Sequence, residues 1–218
     1  MNASVNAIPL PRPGKGRGLA TAIGIAVVLL GAMALDTRVV TIGSDAELSD
    51  DGFSAARFGA EHFPLVRASV EERAVEAGQL AAAISEDKTA AGERHGVPAG
   101  IGPVVPVSFS GVVGEGKAGI YTVDVAGVPD DLTIRVQTGP AINGTDLRDA
   151  TGTIRFGQFT NQIEYQDAAA AINDEMKAQV LADIDTGELT GKTVSVSGVF
   201  KLINPHNWLV TPVRLDVQ

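Results

Sequence analysis

The side chains best suited to binding lie in a polar segment, residues 139–152, between two stretches of alternating apolar residues. They combine neutral donors and acceptors, carboxylates and one planar guanidinium, and they are Asn143, Thr145, Asp146, Arg148 and Asp149. Such a mixed set suits a polyol, a sugar or the backbone of a partner better than a phosphate, which attracts more positive charge. A second interpretation is structural, because Asn, Asp and Thr bond their own backbone in turns and Arg148 can pair with an Asp.

Catalytic and metal-binding motifs are not found elsewhere in the sequence. Residues 191–193, Gly-Lys-Thr, resemble the end of a phosphate-binding loop, but Thr186 stands where that loop requires glycine, and a strand-like pattern follows instead of a helix. The histidines His62, His95 and His206 have no second ligand at a familiar spacing. We therefore predict no catalytic residue, no metal site and no cofactor. A hydrolase that uses paired carboxylates is kept as an alternative.

Charge and cysteine content exclude several classes of protein. The formal net charge is −9, and the first three charged residues, Arg12, Lys15 and Arg17, are basic, so the rest of the chain is more acidic still. An acidic body repels a phosphate backbone, and we predict no nucleic-acid partner. The sequence contains no cysteine, which excludes disulfides, thiolate metal ligands and lipid attachment at a cysteine.

An uncharged apolar run at residues 19–35, LATAIGIAVVLLGAMAL, predicts a helix that enters the inner membrane. At about 1.5 Å per residue it would span roughly 25 Å, slightly less than the ~30 Å hydrocarbon core. Because basic residues precede the run, the positive-inside rule places the C-terminal body in the periplasm. Two interpretations stay open: a single-pass signal anchor, or a signal peptide cleaved after Ala34 that releases a soluble periplasmic protein.

The rest of the chain predicts an α+β protein. Residues 36–52 are polar and acidic and predict a juxtamembrane linker, whereas apolar residues recur at every third or fourth position in 53–95 and predict helix. The Gly/Pro-rich residues 96–103 predict a boundary. The predicted parts are 1–35, the cytoplasmic tip and anchor; 36–100, the linker and helical region; and 101–218, the β-domain.

Within the β-domain the apolar period changes to two, which predicts half-buried strands. They fall at residues 105–110, 121–125, 132–136, 153–156, 194–201 and 209–217. A helix is predicted over 164–184, with Ile172 and Met176 on its buried stripe. The predicted elements are several strands, one helix and then two further strands. An OB-type barrel has the same order. The predicted fold is therefore an N-terminal transmembrane helix, a helical linker region and an OB-like antiparallel β-barrel with one packed helix.

Two long runs carry a resemblance to a known family. They are TGPAINGTDLRDATGTIRFGQFTNQIEYQDAAAAIN at residues 138–173 and GKTVSVSGVFKLINPHNWLVTPVRLDV at 191–217. The chain resembles the bacterial DUF2291 family of predicted periplasmic lipoproteins, best over about residues 101–218. The resemblance implies an envelope location, no established activity, and genes often found beside those of sugar ABC transporters. The chain departs from the family after the apolar run, where Leu35, Asp36 and Thr37 replace a lipid-bearing cysteine.

These observations predict a membrane-tethered periplasmic accessory or binding module of unknown specificity, linked through the resemblance to sugar ABC transport. The expected partners are the inner membrane, through residues 19–35, and an envelope or transporter protein. A structural or assembly protein of the envelope is the main alternative, and a carboxylate-dependent hydrolase is the other.

Overall fold

The computed structural model describes residues 52–218, and these residues form one compact unit, Gly52–Gln218. The transmembrane helix predicted at residues 19–35 lies outside the described residues. Within residues 52–218, none of the helices combines the length and the apolar character needed to cross a membrane.

Six strands form one mixed sheet. They are β1 Val75–Glu76, β2 Val104–Lys117, β3 Ile120–Val125, β4 Thr133–Gln137, β5 Thr193–Lys201 and β6 Asn207–Val217. The strand order is β1-β2-β3-β4-β6-β5, and β5 also pairs with β2, so the five strands from β2 to β6 form a closed circuit of pairings. The period-two pattern explains which face is inside, since Tyr121, Val123 and Val125 of β3 are buried and the residues between them are not.

The pairing between β4 and β6 corrects the prediction that the sheet is antiparallel. These two strands run parallel, with Ile134 opposite Trp208 and Val136 opposite Val210. The short β1 also runs parallel to β2. A parallel pair needs a long crossover, which the residues between β4 and β6 supply. The alternation of apolar residues reports which face of a strand is buried but not which way its neighbour runs, so the sequence could not reveal this pair.

From residue 52 onwards, five α-helices accompany the sheet. They are α1 Ala55–Arg73, α2 Ala77–Glu86, α3 Lys88–His95, α4 Asp146–Asp149 and α5 Gln162–Met176. The helical pattern predicted over 53–95 is therefore interrupted twice. The first interruption is β1, whose two residues are held extended by pairing with β2. The second is Asp87, which has φ −153° and whose carboxylate caps the first N–H groups of α3.

The helix α1 shares its core with the sheet. Phe63, Val66 and Val70 on its inner face belong to the same buried cluster as the strand residues. The helix also crosses α5 closely, because a Cβ at Gly59 would lie 2.6 Å from the carbonyl oxygen of Ala171. Both α1 and α5 therefore share the core of the sheet, whereas only the helix at 164–184 was predicted to pack on it. Residues on both sides of the predicted boundary at residue 100 contribute to one buried cluster, and the division into the predicted parts stays a prediction.

Two further predictions within the β-domain differ from the structure. Residues 153–156 are not a strand; the chain there enters a 3-10 helix, Phe156–Gln158. The helix predicted over 164–184 is regular only to Met176 and continues as a π-helical segment, Lys177–Leu181. Its buried stripe is confirmed, since the side chains of Ile172 and Met176 are fully buried.

Candidate functional site

Arg148, the central residue of the predicted polar segment, lies inside the protein. It sits on the short helix α4 and is 6 % exposed. Its Nε and Nη2 atoms lie 2.9 and 2.8 Å from Oδ1 of Asp149, and its Nη1 atom donates to the carbonyl oxygen of Tyr165 at 3.1 Å. The guanidinium carbon also lies 3.6 Å from the centre of the Tyr165 ring. The guanidinium is therefore held by an ion pair, a backbone acceptor and an aromatic face.

The two carboxylates of the segment share one lysine. Lys201, at the end of β5, places its Nζ atom 3.3 Å from Oδ1 of Asp146 and 3.9 Å from Oδ2 of Asp149. Thr145 donates its hydroxyl to the same Asp149 oxygen at 2.8 Å. Burial raises the pKa of Asp146 above its ordinary value, the Lys201 charge and hydrogen bond oppose this shift, and the Asp149 charge adds to it.

The backbone of the segment is held from outside by two further side chains. Asn173 of α5 is 2 % exposed, and its amide nitrogen donates to the carbonyl oxygens of Ile142 and Gly144 at 3.2 and 2.8 Å. Arg73, the last residue of α1, donates to the carbonyl oxygen of Ala150 at 2.6 Å. These contacts fix both ends of the segment to neighbouring helices.

The structure therefore brings four of the five predicted side chains together and leaves one apart. Thr145, Asp146, Arg148 and Asp149 form one network, which we call the arginine network, whereas the side chain of Asn143 is exposed. Most donors and acceptors of the network bond other groups of the protein. Such an arrangement holds the conformation of the segment. A binding role for these five residues stays a prediction.

A second polar cluster lies on the outer face of the sheet. It is an open groove of about 400 Å³ whose floor is made of the small hydroxyl side chains of β2 and β5 and whose walls are charged. We call it the serine groove, and its polar side chains are Ser108, Ser110, Ser195, Ser197, Glu76, Arg214 and Asp216. Its volume lies within the range of small-molecule sites, roughly 300–1,000 Å³.

Strand register brings the four serines together. β2 and β5 are antiparallel, with Ser108 opposite Ser197 and Ser110 opposite Ser195. Phe109 between the two β2 serines is buried, so the serine side chains point to the outer face. Directly opposed side chains on one face lie close enough to act together.

Sequence reasoning missed this groove, although a short signal was present. Residues 107–112 read VSFSGV and residues 194–199 read VSVSGV. In both strands the two serines point outwards, and the following glycine lies where another strand approaches closely: a Cβ at Gly111 would meet the Asp124 carbonyl oxygen, and a Cβ at Gly198 the Thr211 carbonyl oxygen. The repeat could have predicted two paired strands with a common polar face.

The hydroxyls of the groove differ in their bonding. Ser110 and Ser195 bond each other through their hydroxyl oxygens. The hydroxyls of Ser108 and Ser197 have no side-chain or backbone partner among residues 52–218. Arg214 pairs with Asp216, with 2.7 Å between Nε and Oδ2, and both side chains are about half exposed. The groove therefore presents donors and acceptors that no other group among residues 52–218 consumes.

The described residues contain other cavities but no cluster that could hold a metal. A cleft of about 410 Å³ lies between α3 and the Gly/Pro-rich residues 98–103, and its lining is mainly apolar. In the part of the chain from residue 52 onwards, no three His, Asp or Glu side chains are grouped as metal ligands would be. His206 instead contacts Asp131 at 3.0 Å on the surface.

The closed circuit of five strands, with a helix before the last two, defines the OB-fold class. A crystal structure of an OB-fold protein from Thermotoga maritima supports this assignment: it is 19 % identical, with a TM-score of 0.60, and the alignment covers 77 % of this chain and 100 % of that one. The predicted OB-like α+β class is confirmed at this level, and the similarity concerns the fold alone.

The family follows from the sequence. The family described as "Predicted periplasmic lipoprotein (DUF2291)" matches residues 23–216, and the chain belongs to it. The predicted resemblance is therefore confirmed, and the family supports a periplasmic, membrane-associated location. A comparison with curated proteins finds no match.

Proposed function

We propose that this protein is a membrane-tethered binding or accessory module of the periplasm. The observation that carries the binding role is the serine groove, which offers uncommitted hydroxyls on the face of a hydrogen-bonded sheet. In this proposal the closed circuit of strands acts as a small barrel that keeps the groove in one shape. The family supports the location.

The proposed tether is the apolar run at residues 19–35. A lipoprotein is attached through the lipid on a cysteine, and this sequence contains none. The run is uncharged and follows three basic residues, which supports insertion with the C-terminal body outside the cytoplasm. An envelope or transporter protein is the proposed partner of the tethered module.

Reporter fusions test the location directly. Alkaline phosphatase fused after Gln218 should be active, and green fluorescent protein fused at the same point should be dark. A matched variant that lacks residues 19–35 should lose the phosphatase activity. A bright fluorescent fusion with an inactive phosphatase fusion would show the opposite topology and reject the proposal.

Membrane extraction separates the anchor from the cleaved form. After alkaline carbonate treatment the full-length chain should stay in the membrane pellet, because a spanning helix resists extraction. Recovery of a soluble species that begins at Leu35 would show cleavage and reject the tether. Cross-linking of the intact chain in cells, followed by identification of attached envelope proteins, then tests the partner.

A further inference from the structure

We propose that the serine groove binds a neutral polyhydroxylated small molecule, a saccharide or a polyol. This inference rests on the proposed binding function and adds the chemical class of the ligand. Three features of the groove carry it: the register of its polar side chains, the balance of its charges, and its fixed shape.

The register forms two parallel rows of polar side chains across the sheet. The first row is Glu76, Ser108, Ser197 and Arg214, which lie opposite one another on β1, β2, β5 and β6. The second row is Ser110, Ser195 and Asp216 on β2, β5 and β6. A ligand that lies across the strands would therefore meet hydroxyls at the centre, a charged group at both ends of the first row and Asp216 at one end of the second.

The small size of serine creates the space for a ligand. Strands are enriched in β-branched and aromatic residues, whose side chains are larger than that of serine. Four short side chains at the centre leave a depression between the longer Glu76, Arg214 and Asp216 at its margin. The hydroxyls of Ser108 and Ser197, which have no partner in the part of the chain that the structure describes, lie at the centre of this floor.

The charges of the groove select against anions. Two carboxylates, Glu76 and Asp216, oppose a single guanidinium, and Arg214 already donates to Asp216 at 2.7 Å. A phosphate or carboxylate ligand would meet a lining in which two carboxylates face one guanidinium, so the net charge of the lining repels it. The hydroxyl of a polyol both donates and accepts, so it can donate to a carboxylate and exchange bonds with serine hydroxyls. The lining therefore fits a neutral polyhydroxylated ligand.

The shape of the groove is set before any ligand arrives. β2 and β5 pair continuously from Val104 opposite Lys201 to Val112 opposite Thr193. At Gly111 and Gly198, which follow Ser110 and Ser197, a neighbouring backbone approaches so closely that no side chain fits. The backbone hydrogen bonds between β2 and β5 hold this frame, so the protein loses little conformational freedom when a ligand binds. A small ligand that makes only weak contacts can therefore still bind.

Saturation-transfer NMR on the purified full-length chain in detergent tests the inference. The probes are D-glucose, D-xylose, D-ribose, maltotriose and myo-inositol, each alone, with inorganic phosphate as the anionic competitor. At least one neutral probe should receive saturation from the protein and phosphate should not displace it. The double variant Ser108→Ala/Ser197→Ala should bind that probe at least tenfold more weakly.

The control is Ser85→Ala, which removes an exposed serine hydroxyl away from the groove and should leave binding unchanged. Equal melting temperatures of the three proteins show that the variants are folded. Absence of transfer to every neutral probe, displacement by phosphate, or unchanged binding by the double variant would each overturn the inference. The phosphatase fusion reports location without any ligand, so an active fusion with no saccharide binding rejects the ligand class and leaves the location standing.

Discussion

The arginine network and the serine groove are built from similar side chains but differ in what those side chains contact. Each contains an Arg–Asp ion pair with hydroxyls beside it. The pair Arg148–Asp149 has side chains that are 7 and 15 % exposed, whereas those of Arg214–Asp216 are 55 and 51 % exposed. In the network the polar groups satisfy one another, and in the groove several face solvent.

This difference shows why residue type alone is a poor guide to a binding site. The sequence predicts binding at residues 139–152 because this short loop segment holds many functional groups. Its position beneath α1 and α5 makes those groups part of the interior, where each needs a partner. The serines are spread over two distant stretches, and only the strand register unites them. Burial and hydrogen-bond partners therefore distinguish the two regions more clearly than residue type does.

Replacement of Arg148 by Ala should have the largest effect on the free energy of unfolding. The change removes the partner of Asp149 in a buried pair and exposes the network to water, so it should lower the free energy of unfolding by about 3 kcal/mol. Urea unfolding of the variant and the parent measures the difference. The matched control is Arg214→Ala, which breaks the exposed pair and should cost about 0–1 kcal/mol. Equal losses in the two variants would contradict the comparison.

Replacement of Asn173 by Ala should have the next largest effect. It leaves two backbone carbonyls, those of Ile142 and Gly144, without their donor, and an unsatisfied buried group costs about 1–3 kcal/mol. Thermal unfolding followed by circular dichroism provides the measurement. Asn143→Ala is the control, since that exposed amide should contribute less than about 0.5 kcal/mol. A stable Asn173 variant would show that the segment holds its shape without α5.

Asp146 should make the stability that the arginine network contributes depend on pH. Its pKa is raised in the folded protein from an ordinary value of 3.8, so the folded state holds this proton more tightly than the unfolded chain. Its contribution to stability is therefore greatest at low pH, and it is lost as pH rises from about 3.8 through the raised pKa. Asp146→Asn should remove this loss, so the stability of the variant relative to the parent should rise across that window.

Unfolding curves between pH 3 and pH 7 check this sign. Lys201→Met supplies a second test, because the lysine charge opposes the effect of burial on Asp146. Without that charge the pKa should rise further and the loss of stability with pH should become larger. Identical pH profiles for the parent and Asp146→Asn would contradict the burial of this carboxylate.

The smallest expected effect on stability belongs to the serine groove. Ser108→Ala/Ser197→Ala removes two hydroxyls that bond no other group among residues 52–218, so the free energy of unfolding should change by less than about 0.5 kcal/mol per substitution. Thermal unfolding of the ligand-free protein measures this. A loss comparable to that of Arg148→Ala would place these serines in a structural role and remove the contrast between the two regions.

Much of the fold could be predicted because local patterns determine it. The alternation in β3 and β5 and the stripe on α5 report burial directly, and those elements were predicted. The break at β1 could not be predicted, since Val75 and Glu76 become extended through pairing with a strand about 30 residues later. The parallel partner of β4 is likewise a long-range choice that local periodicity does not record.

Long-range contacts also limited what the sequence could predict about the two candidate sites. The five residues of the polar segment were recognised by type, but their partners Lys201, Tyr165 and Asn173 come from other elements and gave no signal in the segment itself. The serine groove was recognisable from its VSxSGV repeat, provided that the two strands were assumed to pair. In both regions the surroundings of the side chains are set by contacts between distant elements.

The parallel pairing of β4 with β6 also has a consequence for how the protein is made. Gln137 and Thr211, whose side chains bond across this pair, are 74 positions apart, so β4 leaves the ribosome long before its neighbour exists. Until β6 arrives, β4 has one unpaired edge and β5 lacks one of its two partners. Such long-range pairing slows folding and leaves strand edges open to other chains. An exported chain of this design would benefit from crossing the membrane unfolded and closing its sheet on the far side.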